Sequence, residues 1–255
     1  MTNDQPDTGT GDVTDDTARS ADEPVLPRVA GAVHLVDAVH VDYFTDPLCC
    51  WSWALEPVWC RLQHASGGRL TRTVVLGGMI ENWTSYRDPM NDVRAPAQLA
   101  PLWHMAGRAT GAAIDPGIWH LDPPASSLPA SIAVKAAALQ GGEAGERYLA
   151  LAREAVMRRR MNIARSAVLL SLAEELAGLM PRRFDADRFV EDLTGIEARE
   201  ALRADLQRTR LAGIGRFPTM VAHGRHGSRV AVGYRPFDAL VRFLEAASQD
   251  PAAVE

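Results

Sequence analysis

The stretch FTDPLCCWSWALEP, residues 44–57, decides the fold. It predicts a strand end, a tight turn and the start of a helix, with Cys49 at the junction. Unpaired backbone N–H groups and the positive end of the helix dipole favour a thiolate over a thiol at such a position. We therefore expect Cys49 to have a lowered pKa and to act as a nucleophile.

The residue three positions after Cys49 faces the same way on the first helical turn, and it is Ser52 rather than a second cysteine. A CxxC pair is thus reduced to CxxS. We expect the Ser52 hydroxyl to donate a hydrogen bond to the Cys49 thiolate. Without a second cysteine, the site is limited to the chemistry of a single thiol or to binding alone.

The three cysteines do not predict a disulfide framework. Cys49 and Cys50 are adjacent, and Cys60 lies eleven residues beyond Cys49 on the same predicted helix. That separation is on the order of 16 Å, well outside the roughly 7 Å limit between bridged Cα atoms. We expect Cys60 to be a small buried apolar residue. For Cys50, two roles remain open: a small buried apolar residue, or a residue that contacts the substrate.

Composition excludes several classes of protein. With 255 residues and 47% hydrophobic content, the chain is able to bury a substantial core. Residues 1–25 hold seven acidic side chains against Arg19, a balance of −6, so the −5 of the whole chain leaves about +1 for residues 26–255. No basic face for nucleic acid is indicated. Residues 1–36 are predicted to be a disordered acidic N-terminal tail.

Targeting signals are absent from the sequence pattern. The N-terminal region has no basic segment followed by an apolar one, and no run of 18 apolar residues occurs anywhere. We therefore expect no membrane contact and a cytoplasmic location.

The first half of the predicted fold is a βαβ unit within residues 37–79. Val39 to Thr45 and Leu70 to Leu76 are rich in β-branched residues and predict two strands. Between them a helix is predicted from about Cys50 to Ala65, kinked at Pro57 and closed by glycines. Such a unit places its strands parallel with a right-handed crossover.

Residues 80–212 predict an all-helical insertion. Helix-forming composition with apolar residues at three- and four-residue spacing covers residues 131–139, 144–161, 166–176, 185–192 and 196–211. Several prolines, including Pro96 and Pro101, are assigned to the connections.

The second half, residues 213–248, returns to β character. Strands are predicted over residues 219–222 and 229–232 around a glycine-bounded turn, followed by a helix over residues 236–247. Phe217-Pro218-Thr219 stands immediately before the first of these strands. Residues 249–255 are a short C-terminal tail. The fold class is thus α/β.

These features as a set resemble the thioredoxin fold, and the helical insertion together with DPLCxWxWALEP resembles the DsbA family. The resemblance covers about residues 38–248. Gly77-Gly78-Met79 and the segment DPPASS at residues 122–127 are similar to the branch of that family that includes the YjbH-type (SpxH) ClpXP adaptors. Similarity to that branch is an analogy at the level of the fold.

The resemblance implies roles for individual residues. Cys49 matches the attacking cysteine, Cys50 and Trp51 the variable pair, and Ser52 the resolving cysteine. Pro218 matches the proline whose preceding peptide bond is cis beside the active cysteine. Phe217 and Thr219 flank it, and this loop implies a groove in which an extended peptide pairs as an added strand.

Three functions follow from the resemblance. The first is a DsbA-like thiol-disulfide oxidoreductase or isomerase acting through Cys49 alone, on a protein or peptide thiol or disulfide. Glutathione is then a candidate co-substrate, and no tightly bound cofactor is expected. The alternative is a non-catalytic adaptor that holds a peptide or client in the groove. The third is a glutathione-dependent isomerase or transferase.

Other residue types add little to these functions. His223 and His226 flank the predicted hairpin turn without a third ligand, so we expect solvated loop residues and no metal site. Among the six tryptophans, only Trp51 is expected to contact a substrate. Residues 158–160, three consecutive arginines, predict a solvated helix face.

Overall fold

The predicted strands and helices occur in the predicted order along the chain, and two helices that the sequence did not predict, Leu99–Thr110 and Ile118–Leu121, lie between them. The computed structural model describes residues 33–88, 90–225 and 227–249, so most of the predicted acidic tail lies outside the described residues. The strands are β1 (Val39–Thr45), β2 (Leu70–Leu76), β3 (Thr219–Gly224) and β4 (Gly227–Val232). The helices are α1 (Cys50–Ala65), α2 (Leu99–Thr110), α3 (Ile118–Leu121), α4 (Leu128–Ala138), α5 (Gly142–Arg158), α6 (Ser166–Leu179), α7 (Ala186–Thr194), α8 (Ile196–Leu211) and α9 (Phe237–Ser248).

One mixed sheet carries the fold, with strand order β2-β1-β3-β4. β1 and β2 are parallel, which confirms the predicted βαβ unit, whereas β3 is antiparallel to both β1 and β4. The central strand β1 is almost entirely buried, as its β-branched and aromatic residues predict. Its C-terminal end delivers the chain to the turn that carries Cys49.

The two faces of the sheet are covered differently. α1 and α9 pack on one face, where Tyr43, Trp59, Met220 and Leu240 belong to one apolar cluster. On the other face α8 packs on β2, and its Asp205 carboxylate accepts a hydrogen bond from the backbone N–H of Leu76 at 2.8 Å. A second and larger apolar cluster lies mainly in the helical insertion and includes Leu48, Cys50 and Leu76 of the βαβ unit.

The helical region between Ile80 and Ala212 agrees with the prediction in character and differs in detail. The sequence pattern does not predict α2, because it assigns Pro101 to a connection. Pro101 instead lies in the first turn of α2, where its missing N–H breaks no intrahelical hydrogen bond. The helix ends at Gly111, whose φ of 74° is the left-handed conformation that glycine adopts at low cost.

The predicted boundary of the N-terminal tail at residue 36 is wrong by a few residues. Val33 and Leu35 are buried in the cluster with α1 and α9. The backbone N–H of His34 also donates to the Glu245 carboxylate at 3.2 Å. The segment from residue 33 therefore belongs to the packed structure, since the side chains of Val33 and Leu35 are part of the core.

No helix within the described part of the chain is long and apolar enough to cross a membrane.

Candidate active site

Cys49 stands at the junction that the sequence predicts. It is the N-cap of α1 in extended conformation, and its N–H donates to the backbone oxygen of Asp46 at 3.1 Å. The Phe217–Pro218 peptide bond is cis. The Cys49 thiol donates a hydrogen bond to the Phe217 carbonyl oxygen at 3.4 Å, so residues 168 positions apart meet at one site.

The expected lowering of the Cys49 pKa is wrong. Burial raises the pKa of Cys49, and the nearby Asp46 carboxylate raises it further. The Ser52 hydroxyl, the Ser52 backbone N–H and the Arg153 guanidinium act in the opposite direction without reversing the result. The helix start favours the thiolate, but the sulfur lies under packed side chains where the loss of water costs more.

Ser52 does not make the hydrogen bond expected of it. The residue is fully buried, and its Oγ has no hydrogen-bond partner among the described residues. Ser52 follows Cys49 by three residues at the start of α1, and its side chain lowers the pKa of Cys49 by less than burial raises it. The expected Ser52–thiolate hydrogen bond is therefore absent from the described site.

A cleft of about 690 Å³ opens beside Cys49. Four of the predicted site residues line it, namely Cys49, Cys50, Trp51 and Phe217. Pro218 and Thr219 are buried behind the cleft wall, and the Thr219 hydroxyl donates to the Arg216 backbone oxygen at 2.8 Å. The cleft is thus built on one side by the start of α1 and on the other by the segment before β3.

Gly77 makes room for the side chain of Phe217. A Cβ atom at Gly77 would lie 1.9 Å from Cζ of the Phe217 ring, far inside contact distance. The ring therefore packs directly on the backbone after β2, and only glycine permits this approach. The glycine pair after the second predicted strand was the sequence signal, although it did not identify the ring it accommodates.

Asp46 is the central residue that the sequence interpretation missed. Its buried carboxylate accepts hydrogen bonds from the N–H groups of Leu48 at 2.9 Å and Met79 at 2.7 Å, and from the Ser127 hydroxyl at 2.8 Å. Burial raises the pKa of Asp46 even with these donors present. One side chain thus joins the Cys49 turn, the floor of the cleft and the start of α4.

A buried ion network lies beneath this turn. Arg153 of α5 donates to the Thr45 hydroxyl and the Asp46 backbone oxygen and pairs with Glu56 of α1. Glu56 also pairs with Arg72 at 3.0 Å. Burial alone would raise the pKa of Glu56, but the guanidinium groups of Arg72 and Arg153 hold it below its usual value. The network connects the insertion to both strands that flank α1.

Several other expectations about side chains need correction. Cys60 is exposed rather than buried, and Cys50 is buried while lining the cleft. His223 is not simply solvated, since its Nε2 lies 2.8 Å from the Asp42 carboxylate and its Nδ1 lies 2.7 Å from the Ser228 hydroxyl. His226 lies outside the described residues.

The remaining expectations concern tryptophans, arginines and metal ions. Trp51 is half-buried in the cleft wall with its ring 6.2 Å from that of Tyr234, whereas Trp59, Trp103 and Trp119 are core residues. The three consecutive arginines at residues 158–160 pair with carboxylates of the insertion. Within residues 33–249, apart from the undescribed positions 89 and 226, no cluster of three ligating side chains could hold a metal ion.

The sheet, its helical insertion and the Cys49–Phe217 contact define a thioredoxin-like fold with a helical insertion. The chain belongs to the thioredoxin family, whose model matches residues 43–236. This result confirms the fold class and the family resemblance expected from the sequence.

Individual relatives fall into two groups. The ClpXP adapter protein SpxH of Halalkalibacterium halodurans is 33% identical over 206 residues, which cover 79% of this chain and 65% of that protein. The chain therefore spans slightly less than two thirds of the length of this curated relative. This similarity confirms the resemblance to SpxH-type proteins.

The second group consists of solved structures with the same fold. Two structures of the cytosolic disulfide reductase DsbM from Pseudomonas aeruginosa, one of them with GSH, match with TM-scores of 0.62 and 0.60. Both are 23% identical to this chain and cover 81% of it, and the chain covers 97% and 98% of them. At this identity the likeness supports the fold alone.

Proposed function

We propose that the protein is an adaptor-type binding protein that holds an extended segment of a client protein in the cleft beside Cys49 and Phe217. One observation carries the proposal: the Cys49 thiol at the helix start is buried and donates a hydrogen bond to the Phe217 carbonyl oxygen in the wall of the cleft. A cytoplasmic location and delivery of the client to ClpXP are parts of the same proposal.

The state of Cys49 supports binding over exchange. A thiol with a raised pKa is a poor nucleophile at neutral pH, because the thiolate is the attacking species. Ser52 occupies the position of a resolving thiol and offers no sulfur to release a trapped partner. A cleft that only binds a client needs neither a thiolate at Cys49 nor a second sulfur.

The backbone at Phe217 supports an extended client. None of the described residues accepts a hydrogen bond from the Phe217 N–H, which leaves this donor free beside the cleft. The Trp51 ring and the Phe217 ring present apolar surface on either side. A free main-chain donor between apolar walls suits an extended peptide, since main-chain hydrogen bonds give affinity and side-chain pockets give selectivity.

The relatives agree with this assignment. A protein that is 33% identical is described as a ClpXP adapter, and the matched region includes most of this chain. Because the chain spans only 65% of that protein, delivery to ClpXP is the part of the proposal that most needs a direct test.

The test begins with a photo-crosslinking amino acid at Met90, an exposed residue at the cleft. Partners captured in cells are identified, purified and titrated against the intact protein and its Cys49→Ala and Gly77→Ala variants. We expect Cys49→Ala to bind as the intact protein does and Gly77→Ala to lose binding. ClpXP should degrade the partner faster when the intact protein is present. Binding that requires the Cys49 sulfur would refute the adaptor proposal.

A second candidate is single-thiol exchange with glutathione or a protein disulfide, favoured by the position of Cys49 on the cleft wall. In this reaction the Cys49 thiolate displaces one sulfur of a disulfide as a thiolate, and a second thiol later releases the mixed disulfide. Turnover of a glutathionylated peptide by the intact protein, lost in Cys49→Ala, would identify it. Glutathione that binds tightly without any disulfide turnover would instead favour the isomerase or transferase.

A further inference from the structure

A separate surface lies at the free edge of the sheet. β4 is the last strand in the order β2-β1-β3-β4, so one side of its backbone has no neighbouring strand among the described residues. We refer to the outer side of Gly227–Val232 as the β4 edge. Unprotected sheet edges are association sites in proteins unless something covers or blocks them.

The register identifies the free backbone groups at the β4 edge. Gly233 donates to the Pro218 oxygen at 2.7 Å, so this directly opposed pair is a hydrogen-bonded pair of the ladder. Hydrogen-bonded and non-hydrogen-bonded pairs alternate in an antiparallel ladder. The N–H and C=O groups of Ser228, Val230 and Val232 therefore point outward, and no described residue accepts a hydrogen bond from their N–H groups.

The side chains of these residues lie on the more open face of the sheet. Val230 is 59% exposed and Val232 is 42% exposed. α8 reaches this face over β1 and β2, where Arg208 pairs with Asp42. Two exposed valines on a strand with free hydrogen-bonding groups provide what an additional β-strand needs for pairing and packing.

The chain segment that contains β4 carries charged side chains of one sign. Residues 206–237 contain six arginines and no aspartate or glutamate. Arg208 pairs with Asp42, and Arg229 donates to the Ala246 backbone oxygen. The other four have no ion-pair partner among the described residues, and two of these, Arg225 and Arg235, lie just before and just after β4.

We propose that the β4 edge binds an acidic, β-branched segment of another protein as an added strand. Its backbone pairs with Ser228, Val230 and Val232, its apolar residues pack against the two valines, and its carboxylates at either end pair with Arg225 and Arg235. This site is distinct from the cleft and does not depend on the proposed function.

Two other occupants fit the surface less well. A symmetric antiparallel pairing of two copies about Val230 would set Arg225 of one copy against Arg235 of the other, which is repulsive. A nucleic acid would satisfy the arginines but would leave the valines and the directional backbone groups without partners. An acidic β-strand pairs with the arginines, packs against the valines and bonds to the free backbone groups.

The test uses a fluorescein-labelled peptide, DEVTVTVED, titrated against the full chain by fluorescence anisotropy. The control peptide has lysine in place of every acidic residue. We expect the acidic peptide to bind, the lysine peptide not to bind, and affinity to fall with added salt. Val230→Pro removes an outward N–H without removing a ladder hydrogen bond, so it should weaken binding by about fivefold or more.

Matched variants separate backbone, charge and folding effects. Val230→Thr keeps the N–H and the branched shape, so it should bind nearly as the intact chain does. Arg225→Glu with Arg235→Glu should weaken binding by about tenfold at low salt, whereas Arg199→Glu, an exposed arginine outside residues 206–237, should not.

Hydrogen exchange gives a second readout if Val230→Pro does not fold. Bound peptide should slow exchange at the amides of Ser228, Val230 and Val232. The proposal is overturned if these amides are unaffected, or if folded Val230→Pro binds as well as Val230→Thr. It is also overturned if a single-stranded oligonucleotide displaces the peptide and itself binds more tightly, or if the chain dimerises through β4 and the peptide does not compete.

Discussion

The thiol of Cys49 is bonded to the carbonyl oxygen of Phe217, with 3.4 Å between Sγ and the oxygen. A thiolate has no proton to donate, so ionisation of Cys49 would replace this hydrogen bond by repulsion between two electron-rich atoms. The same contact therefore opposes the reactive form of the cysteine.

The pH dependence of alkylation tests the protonation of Cys49. We expect the iodoacetamide reaction of Cys49 to rise with a midpoint above the ordinary cysteine value of about 8.5, because burial and the Asp46 charge disfavour the thiolate. Tandem mass spectrometry separates modification of Cys49 from that of Cys50. Asp46→Asn should move the midpoint downward, because it removes the repelling carboxylate. A midpoint below neutral pH in the intact protein would contradict the burial argument.

The role of Gly77 can be tested by a single methyl group. Gly77→Ala should displace the Phe217 ring, because the new Cβ would lie 1.9 Å from it, and should reduce binding in the cleft. The matched control is Gly215→Ala in the same segment as Phe217, where nothing lies within 4 Å of an added Cβ. The two variants are compared by thermal unfolding and by tryptophan fluorescence, to which Trp51 in the cleft wall contributes. Equal behaviour would contradict the close packing.

Glu56 should contribute to stability in a pH-dependent way. Its folded pKa is lowered, so its contribution is fully present above the unfolded value of about 4.3 and is lost as the pH falls through the folded pKa. Glu56→Gln leaves Arg153 buried without its charge partner, and we expect a loss of about 3 kcal/mol in unfolding free energy at neutral pH. Urea titrations at several pH values measure both effects.

The control for Glu56 is Glu143→Gln, which removes a carboxylate from exposed ion pairs with Arg147 and Arg183. Surface pairs contribute little, so this variant should unfold nearly as the intact protein does. If both variants lost the same stability, the importance assigned to the buried network would be wrong.

The parts of the fold that were predicted well are those with local signals. β1, α1 and β2 have the predicted bounds because strand-forming residues, a turn at Asp46-Pro47 and terminal glycines lie next to one another in sequence. α2 was missed because a proline at the first turn of a helix and a proline in a loop are hard to distinguish locally.

The site was predicted in position but not in protonation state. The motif placed Cys49 at a helix start, the family resemblance placed it beside the Phe217–Pro218 segment, and both features are present. The sign of the pKa shift depends on burial by distant parts of the chain. Ser127 reaches Asp46 across 81 residues and Arg153 reaches Thr45 across 108, contacts that no local pattern indicates.

Ser52→Cys tests whether the site retains the geometry of a dithiol pair. Ser52 is fully buried, and its unpaired hydroxyl gains nothing from its surroundings, so a less polar thiol should be accepted without loss of stability. Since residues 49 and 52 share the first turn of α1, mild oxidation should join them in a disulfide.

Thiol counting with Ellman's reagent should then show two fewer thiols after oxidation of Ser52→Cys, and the variant should reduce insulin faster than the intact protein does. Ser52→Ala is the control, because it also removes the unpaired hydroxyl but supplies no sulfur. A folded Ser52→Cys variant with an unchanged thiol count after oxidation would mean that the two side chains are not aligned for exchange. The loss of the second cysteine would then have been accompanied by a change in the geometry of the turn itself.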